Sequence, residues 1–329
     1  GGIMGPAIGG IARATGPARA GDGIEEAGAA RAGPMQRSDD VAKQGSAPTK
    51  ARMDEIFEQT KNWGRWGKDD QAGALNLITD AVRKRAEACV RHGRAVSCAY
   101  ELAVQPAVDN PHPALHMMIA GGDDCLFPEI GLETTSDFVG LAFHGMATSH
   151  LDALCHVHVN GLMYNGYPGT DVKSTGAKKN SVMCARNGIV SRGVLLDMPR
   201  TLGVPWLEPG YAITPEQLEQ AEAKQNVRVG EGDVLLVATG RDARRDSMGR
   251  WHPLEQGLAG LHHECLPWLH QRGIAVLGSD CISDVVPLKA DGGWGMPIHQ
   301  VTLVAMGVHL LDNLNLGDLM KACAELSQW

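Results

Sequence analysis

The chain has 329 residues, 43% of them hydrophobic and 5% aromatic, with a formal net charge of −8. That length supports one large core or two small ones, and the acidic balance leaves no electrostatic footprint for nucleic acid. No run approaches about 18 consecutive apolar residues, so no membrane span is expected.

Residues 1–50 hold eleven glycines, eleven alanines and four prolines, and no aromatic residue. Such a segment cannot bury enough apolar surface to offset its ordering entropy, and it lacks the hydrophobic run of a signal peptide. It is expected to be a disordered low-complexity tail, with one domain over 51–329 whose folded part begins near Met53. Thr79 is a candidate N-cap for a helix over 80–92, with Gly93 as its stop. Residues 138–159 alternate enough to be strand and then turn. Residues 188–198 end in a short buried strand.

Thr214-Pro215-Glu216-Gln217 combines an N-cap, a proline at the first helical position and a capping-box Gln, which predicts a helix over 215–225. Residues 233–239 form a central strand closed by Gly240. The charged run 241–246 is expected to be a solvated loop rather than a clamp for a substrate carboxylate. A helix over 262–272 stops at Gly273; His262, His263 and Glu264 would be its solvated start, because adjacent helical residues point apart. A buried strand over 274–278, a helix over 298–306 and a strand over 308–311 complete the pattern. Short strands mixed with helices predict an α/β fold.

Eight cysteines are scattered without any CxxC pair, which argues against a zinc ribbon or a dithiol redox site. They read as reduced thiols of a cytoplasmic protein.

Four of the thirteen histidines crowd into one stretch, at His144, His150, His156 and His158, with Asp152 among them. All five positions are even, so on a strand these side chains would share a face. Imidazoles and a carboxylate converging on one face can hold a divalent metal. By parity His156 is open as ligand, general base or core histidine, and His144 as a ligand or the support of one. His158 falls at a pocket edge. Cys155 has opposite parity and is expected to be buried and inert.

The stretch Thr148-Ser149-His150-Leu151-Asp152-Ala153-Leu154-Cys155-His156 resembles the signature of the cyclase family of metal-dependent hydrolases, which includes kynurenine formamidases and isatin hydrolases. Three further blocks resemble the same family in order: Asn62 through Asn76, Met163-Tyr164-Asn165-Gly166, and His299 with Gly307 through Asn313. Met146 stands where the family's first histidine falls, Leu154 replaces the signature proline, and Asp312 stands where the family usually has Glu.

The resemblance implies a single swivelling β/β/α domain, a homodimer, and Zn2+ or Mn2+. It implies His150, Asp152, His144, His299 and Asp312 as the metal set and His156 as the proton-transfer residue. Trp63 and Trp66 would be core or pocket lining; as pocket lining they would join Tyr164 in packing a flat small-molecule substrate. A divalent ion lowers the pKa of its water toward about 7, giving hydroxide for hydrolysis of a small cyclic or aryl amide, lactam or ester. The alternatives are kynurenine formamidase itself, or a non-catalytic metal-binding or small-molecule-binding protein on the same fold.

Overall fold

The computed structural model describes residues 48–124, 127–287 and 292–329. The tail reading for residues 1–50 therefore lies, up to residue 47, outside the described residues. Helix α1 (Lys50–Gln59) starts slightly before the expected edge, because Thr49 accepts from Arg52 N at 3.2 Å and caps it. Its buried face is Met53, Ile56 and Phe57.

Helix α2 (Asp80–Glu87) starts at Thr79 as predicted but ends five residues short of 92. Val82 and Ala86 are its buried face, and the next residue in phase, Val90, is 75% exposed. With nothing to cover that face, the packing that sustains a short helix is lost.

A hairpin follows, β1 (Leu115–Ala120) antiparallel to β2 (Ser136–Gly140), with a bulge between Met118 and Ala120. The main sheet comprises β3 (His150–Asp152), β4 (Gly193–Asp197), β5 (Val234–Ala238), β6 (Val276–Ser279) and β7 (His309–Asp312) in the order β3-β7-β6-β5-β4. It is parallel except at β3, which runs antiparallel to β7.

The central strands are near-continuous apolar runs, as a sheet covered on both faces requires. Val194, Leu196, Leu235 and Val237 face one core with α3 (Pro215–Gln225), whose capping box forms as predicted. Leu195 and Leu236 face the other, against Leu314 and Leu316.

The run 241–246 is helical, not a loop, lying within α4 (Arg241–Met248). Its start is capped from a distance: the Asp280 carboxylate accepts from Thr239 N, Gly240 N and Arg241 N at 2.8, 2.9 and 3.1 Å. Helix α5 (Cys265–Arg272) begins after the two adjacent histidines, and Gly273 stops it in the left-handed region as predicted. His263 is 7% exposed, so that start is packed rather than solvated. Helix α6 (Pro297–His299) widens to π geometry over Gln300–Met306. Helix α7 (Gly317–Leu326) closes the chain. The result is the mixed α/β fold expected. Among the described residues no helix is long and apolar enough to cross a membrane.

Candidate metal centre

Strands β3 and β7 form the floor of the site. Their register sets Asp312 opposite His150 and Leu310 opposite Asp152, so His150, Asp152 and Asp312 share one face. Only residues 150–152 of the histidine-rich stretch are strand. Strand alternation therefore explains His150 and Asp152 but not the other histidines. His144 comes from the loop before β3 and His156 from the turn after it.

His144, His150 and His156 nevertheless meet, with His299 from far along the chain, at Asp152, which is fully buried. Oδ1 lies 3.1 Å from His144 Nδ1 and 3.4 Å from His150 Nε2. Oδ2 lies 3.5 Å from His299 Nε2 and 4.0 Å from His156 Nε2. The His144 and His156 rings stack with centroids 3.8 Å apart and planes 3° apart.

Two donor groups result, His144 with Asp152 and His156, and His150 with Asp152 and Asp312; within each, the candidate atoms lie within 4.8 Å of one another. The donors are nitrogen and oxygen, which suit Zn2+ and Mn2+ alike. Asp152 Oδ1 and Oδ2 and Asp312 Oδ1 are buried without a hydrogen-bond partner. Among the described residues these are the carboxylate oxygens left buried and unpaired, and a carboxylate is costly to bury alone, so three of them beside imidazole nitrogens make a donor set that fits a divalent cation.

The electrostatics agree. Burial works to raise Asp152, but the His150 and His299 imidazoles outweigh it and hold the carboxylate well below its usual range. Burial pushes Asp312 up despite His299. Burial opposes charge on His299, yet Asp152, Asp284 and Asp312 raise it well above an ordinary imidazole. His150 is raised against burial by Asp152 and the Thr148 carbonyl. His144 and His156 are lowered, chiefly by burial and further by neighbouring histidines.

A cavity of about 640 Å³ opens over this face, lined by Leu141, Phe143, Val172, Val182 and the four clustered histidines. His158 thus lies at the pocket edge, as expected. Cys155 also lines it and is only half-buried, because the chain has left the strand before that residue. Burial still pushes its thiol up, which keeps it protonated.

Trp63, Trp66 and Tyr164 are not among the lining residues. Trp63 donates to Val304 O at 2.7 Å, and Tyr164 is fully buried with its hydroxyl donating to Asp70 at 2.9 Å. Trp66 packs on the core with the Arg65 guanidinium 4.7 Å from its ring. They belong to a buttress behind α6. Asn62 donates to Ala305 O and Met306 O, and Ala74 N to Gly307 O, which satisfies the last carbonyls of that helix. The two tryptophans thus take the core alternative, and Tyr164, expected to touch substrate, is a buried support instead.

Four residues near the centre were given no part in it by the sequence reading. Asp284 is fully buried and holds His299 Nδ1 at 2.6 Å. Arg241 and Asn313 fasten the loop that carries His144. His309 is fully buried on β7 with Nε2 3.5 Å from Cys184 Sγ. His309 and Asn313 lie in the C-terminal motif block and Arg241 in the charged run 241–246, but neither pattern says what those side chains contact.

A family model described as "Putative cyclase" matches residues 96–284. The crystal structure of a novel cyclase is similar at a TM-score of 0.71 and 29% identity, covering 81% of this chain and 90% of that one. Isatin hydrolase A from Ralstonia solanacearum is similar at a TM-score of 0.49 and 20% identity, over 73% of this chain and 87% of that one. An isatin hydrolase bound to the product analogue thioisatinate gives 0.46 and 19%, over 68% and 80%. A search of curated proteins returns no match.

Proposed function

The chain belongs to the Cyclase family, and from that premise we propose that it is a metal-dependent hydrolase of a small cyclic or aryl amide, lactam or ester. The observation that carries this reading is the set of orphaned oxygens on Asp152 and Asp312, ringed by imidazoles. His150, Asp152 and Asp312 would hold a divalent ion, Zn2+ or Mn2+, with His144 and His299 beside them. When bound, such an ion supplies Lewis acidity, which acidifies water toward about pKa 7 and polarises a carbonyl oxygen.

The rest is the work of the chain's own residues. Burial is the main cause that lowers the His156 pKa from the usual value, which leaves the imidazole neutral near pH 7. A neutral imidazole accepts a proton at Nε2 and returns it to the leaving nitrogen or oxygen. The apolar wall of Leu141, Phe143, Val172 and Val182 favours a flat, weakly polar substrate body. A homodimer is part of the same reading. The β1/β2 hairpin leaves Leu115, Met117, Met118, Ile119, Phe138 and Val139 roughly half exposed or more, and a lone two-stranded hairpin is marginal in water. Light scattering with an Ile119→Asp variant tests it; a monomeric wild type would remove the dimer.

The test of function is to load the purified protein with Mn2+ or Zn2+, count bound metal by elemental analysis, and assay isatin, N-formylkynurenine, γ-lactams and aryl esters. Stoichiometric metal with turnover of at least one cyclic or aryl substrate is expected. Failure to retain metal overturns the reading; metal without turnover leaves a binding protein.

A further inference from the structure

The loop that brings His144 and His150 to the centre is fastened from behind by two buried polar side chains. Arg241 is 5% exposed and occupies the first position of α4. A guanidinium there sits at the positive end of the helix dipole, and burying it is costly unless it is well partnered. Its partners are Asn313 Oδ1 at 2.7 Å, Asp280 O at 3.3 Å and Met146 O. None of them is a carboxylate. Apart from the Trp251 ring 6.0 Å away, that buried charge is spent on two main-chain carbonyls and one amide, and Met146 O ties it to the loop before β3.

Asn313 continues the connection. It is fully buried, in the left-handed region at φ 53, immediately after Asp312. Its Nδ2 donates to Gly145 O at 2.7 Å and to Thr148 O at 3.3 Å, while Ser149 Oγ donates to the Asn313 carbonyl at 2.5 Å. Thr148 O also accepts from His150 Nδ1 at 2.8 Å. A carbonyl can only accept, so Nδ1 carries a proton there, which leaves Nε2, 3.4 Å from Asp152 Oδ1, as the nitrogen available to an ion.

We propose that Arg241 and Asn313 are positioning residues of the metal centre. They form a latch on the carbonyls of Gly145, Met146 and Thr148, so that His144 and His150 arrive already oriented for a divalent ion. The proposal rests on the metal reading above. Without the latch, the ordering of residues 144–149 would be charged against ion binding rather than settled on folding.

Asn313→Asp tests this. Aspartate tolerates the left-handed backbone and gives Arg241 a better partner, but it cannot donate to Gly145 or Thr148. The melting temperature should stay close to wild type, while the Mn2+ and Zn2+ dissociation constants rise about 10–100-fold. Arg241→Lys keeps the charge but reaches fewer acceptors, and should weaken both ions in the same direction by less. An Asn313→Asp protein that binds as tightly as wild type overturns the latch alone. So does a loss of affinity that follows a fall in melting temperature in both variants, since the pair would then be a folding element. A wild-type protein that takes up neither ion removes the metal reading and the latch with it.

Discussion

Asp284 accepts from His299 Nδ1 at 2.6 Å, and the opposite nitrogen of the same ring faces Asp312 at 3.2 Å. The Asp284 carboxylate is saturated with donors: Oδ1 takes Ile298 N at 2.8 Å and Oδ2 also takes His299 N at 3.1 Å. One side chain therefore caps the start of α6 and fixes the ring orientation of a candidate ligand. Histidine ligands are commonly held in this way by a carboxylate on the far nitrogen.

Asp284→Asn should therefore weaken metal binding. An amide has one acceptor oxygen, so its NH2 must confront either a backbone N–H or the imidazole N–H. Facing the ring, it would shift the imidazole proton to the nitrogen that looks into the site. The dissociation constant for Zn2+ or Mn2+ should rise about 10–100-fold. Calorimetric titration measures it, and wild-type affinity in the variant would show that Asp284 only caps the helix.

Asp152 is shared by both donor groups, whereas His144 belongs to one. Asp152→Ala should abolish stoichiometric metal, and His144→Ala should lower affinity by about 10–100-fold while leaving a bound ion. Elemental analysis of the two purified variants decides the matter. Full occupancy in Asp152→Ala would end the metal assignment.

What the sequence could and could not reveal divides by range. The Thr214–Gln217 box and the Gly273 stop are local devices, and both form where the sequence places them. Evenness of the histidine positions picked out side chains that do converge, though strand alternation is only part of the reason. Three residues of strand account for His150 and Asp152, and a fastened loop and a turn deliver His144 and His156. The run at 241–246 is charged enough to read as loop; it is helical because Asp280, about forty residues on, caps it. Trp63 and Tyr164 lie in motif blocks, yet a motif does not say whether a residue touches substrate or supports the wall behind it. Their hydrogen bonds to Val304 O and Asp70 are long-range facts.

His309 makes stability depend on pH. Burial pushes this imidazole down to about 4. Its folded value lies below the unfolded value near about 6.5, so between those limits the unfolded chain holds a proton that the native one does not. The stability it protects is present above about pH 6.5 and is lost as pH falls toward about 4, by on the order of 3 kcal/mol in all. His309→Gln removes this titration. Urea unfolding in EDTA at pH 7 and pH 4.5 should show a steeper loss in wild type than in the variant. Parallel losses would mean that His309 is not held neutral.

His156 bears the proton-transfer assignment, and the geometry makes that assignment testable. Its Nε2 lies 4.0 Å from Asp152, and its ring is stacked on His144, so simple truncation would disturb both contacts. His156→Phe keeps a flat ring against His144 and removes the proton carrier; His156→Asn removes both. If His156 moves the proton, both variants should retain metal, and kcat should fall by about 10²–10⁴-fold. Neutral imidazole is the working form, and burial lowers its pKa from the usual value. The acidic limb of wild-type activity should therefore lie below that of an ordinary imidazole, and it should vanish in the variants. Loss of bound metal in His156→Phe would instead make His156 a ligand alongside His144 and Asp152. Retention of both metal and full activity would move proton transfer to another group, with His158 on the same cavity wall the next to test.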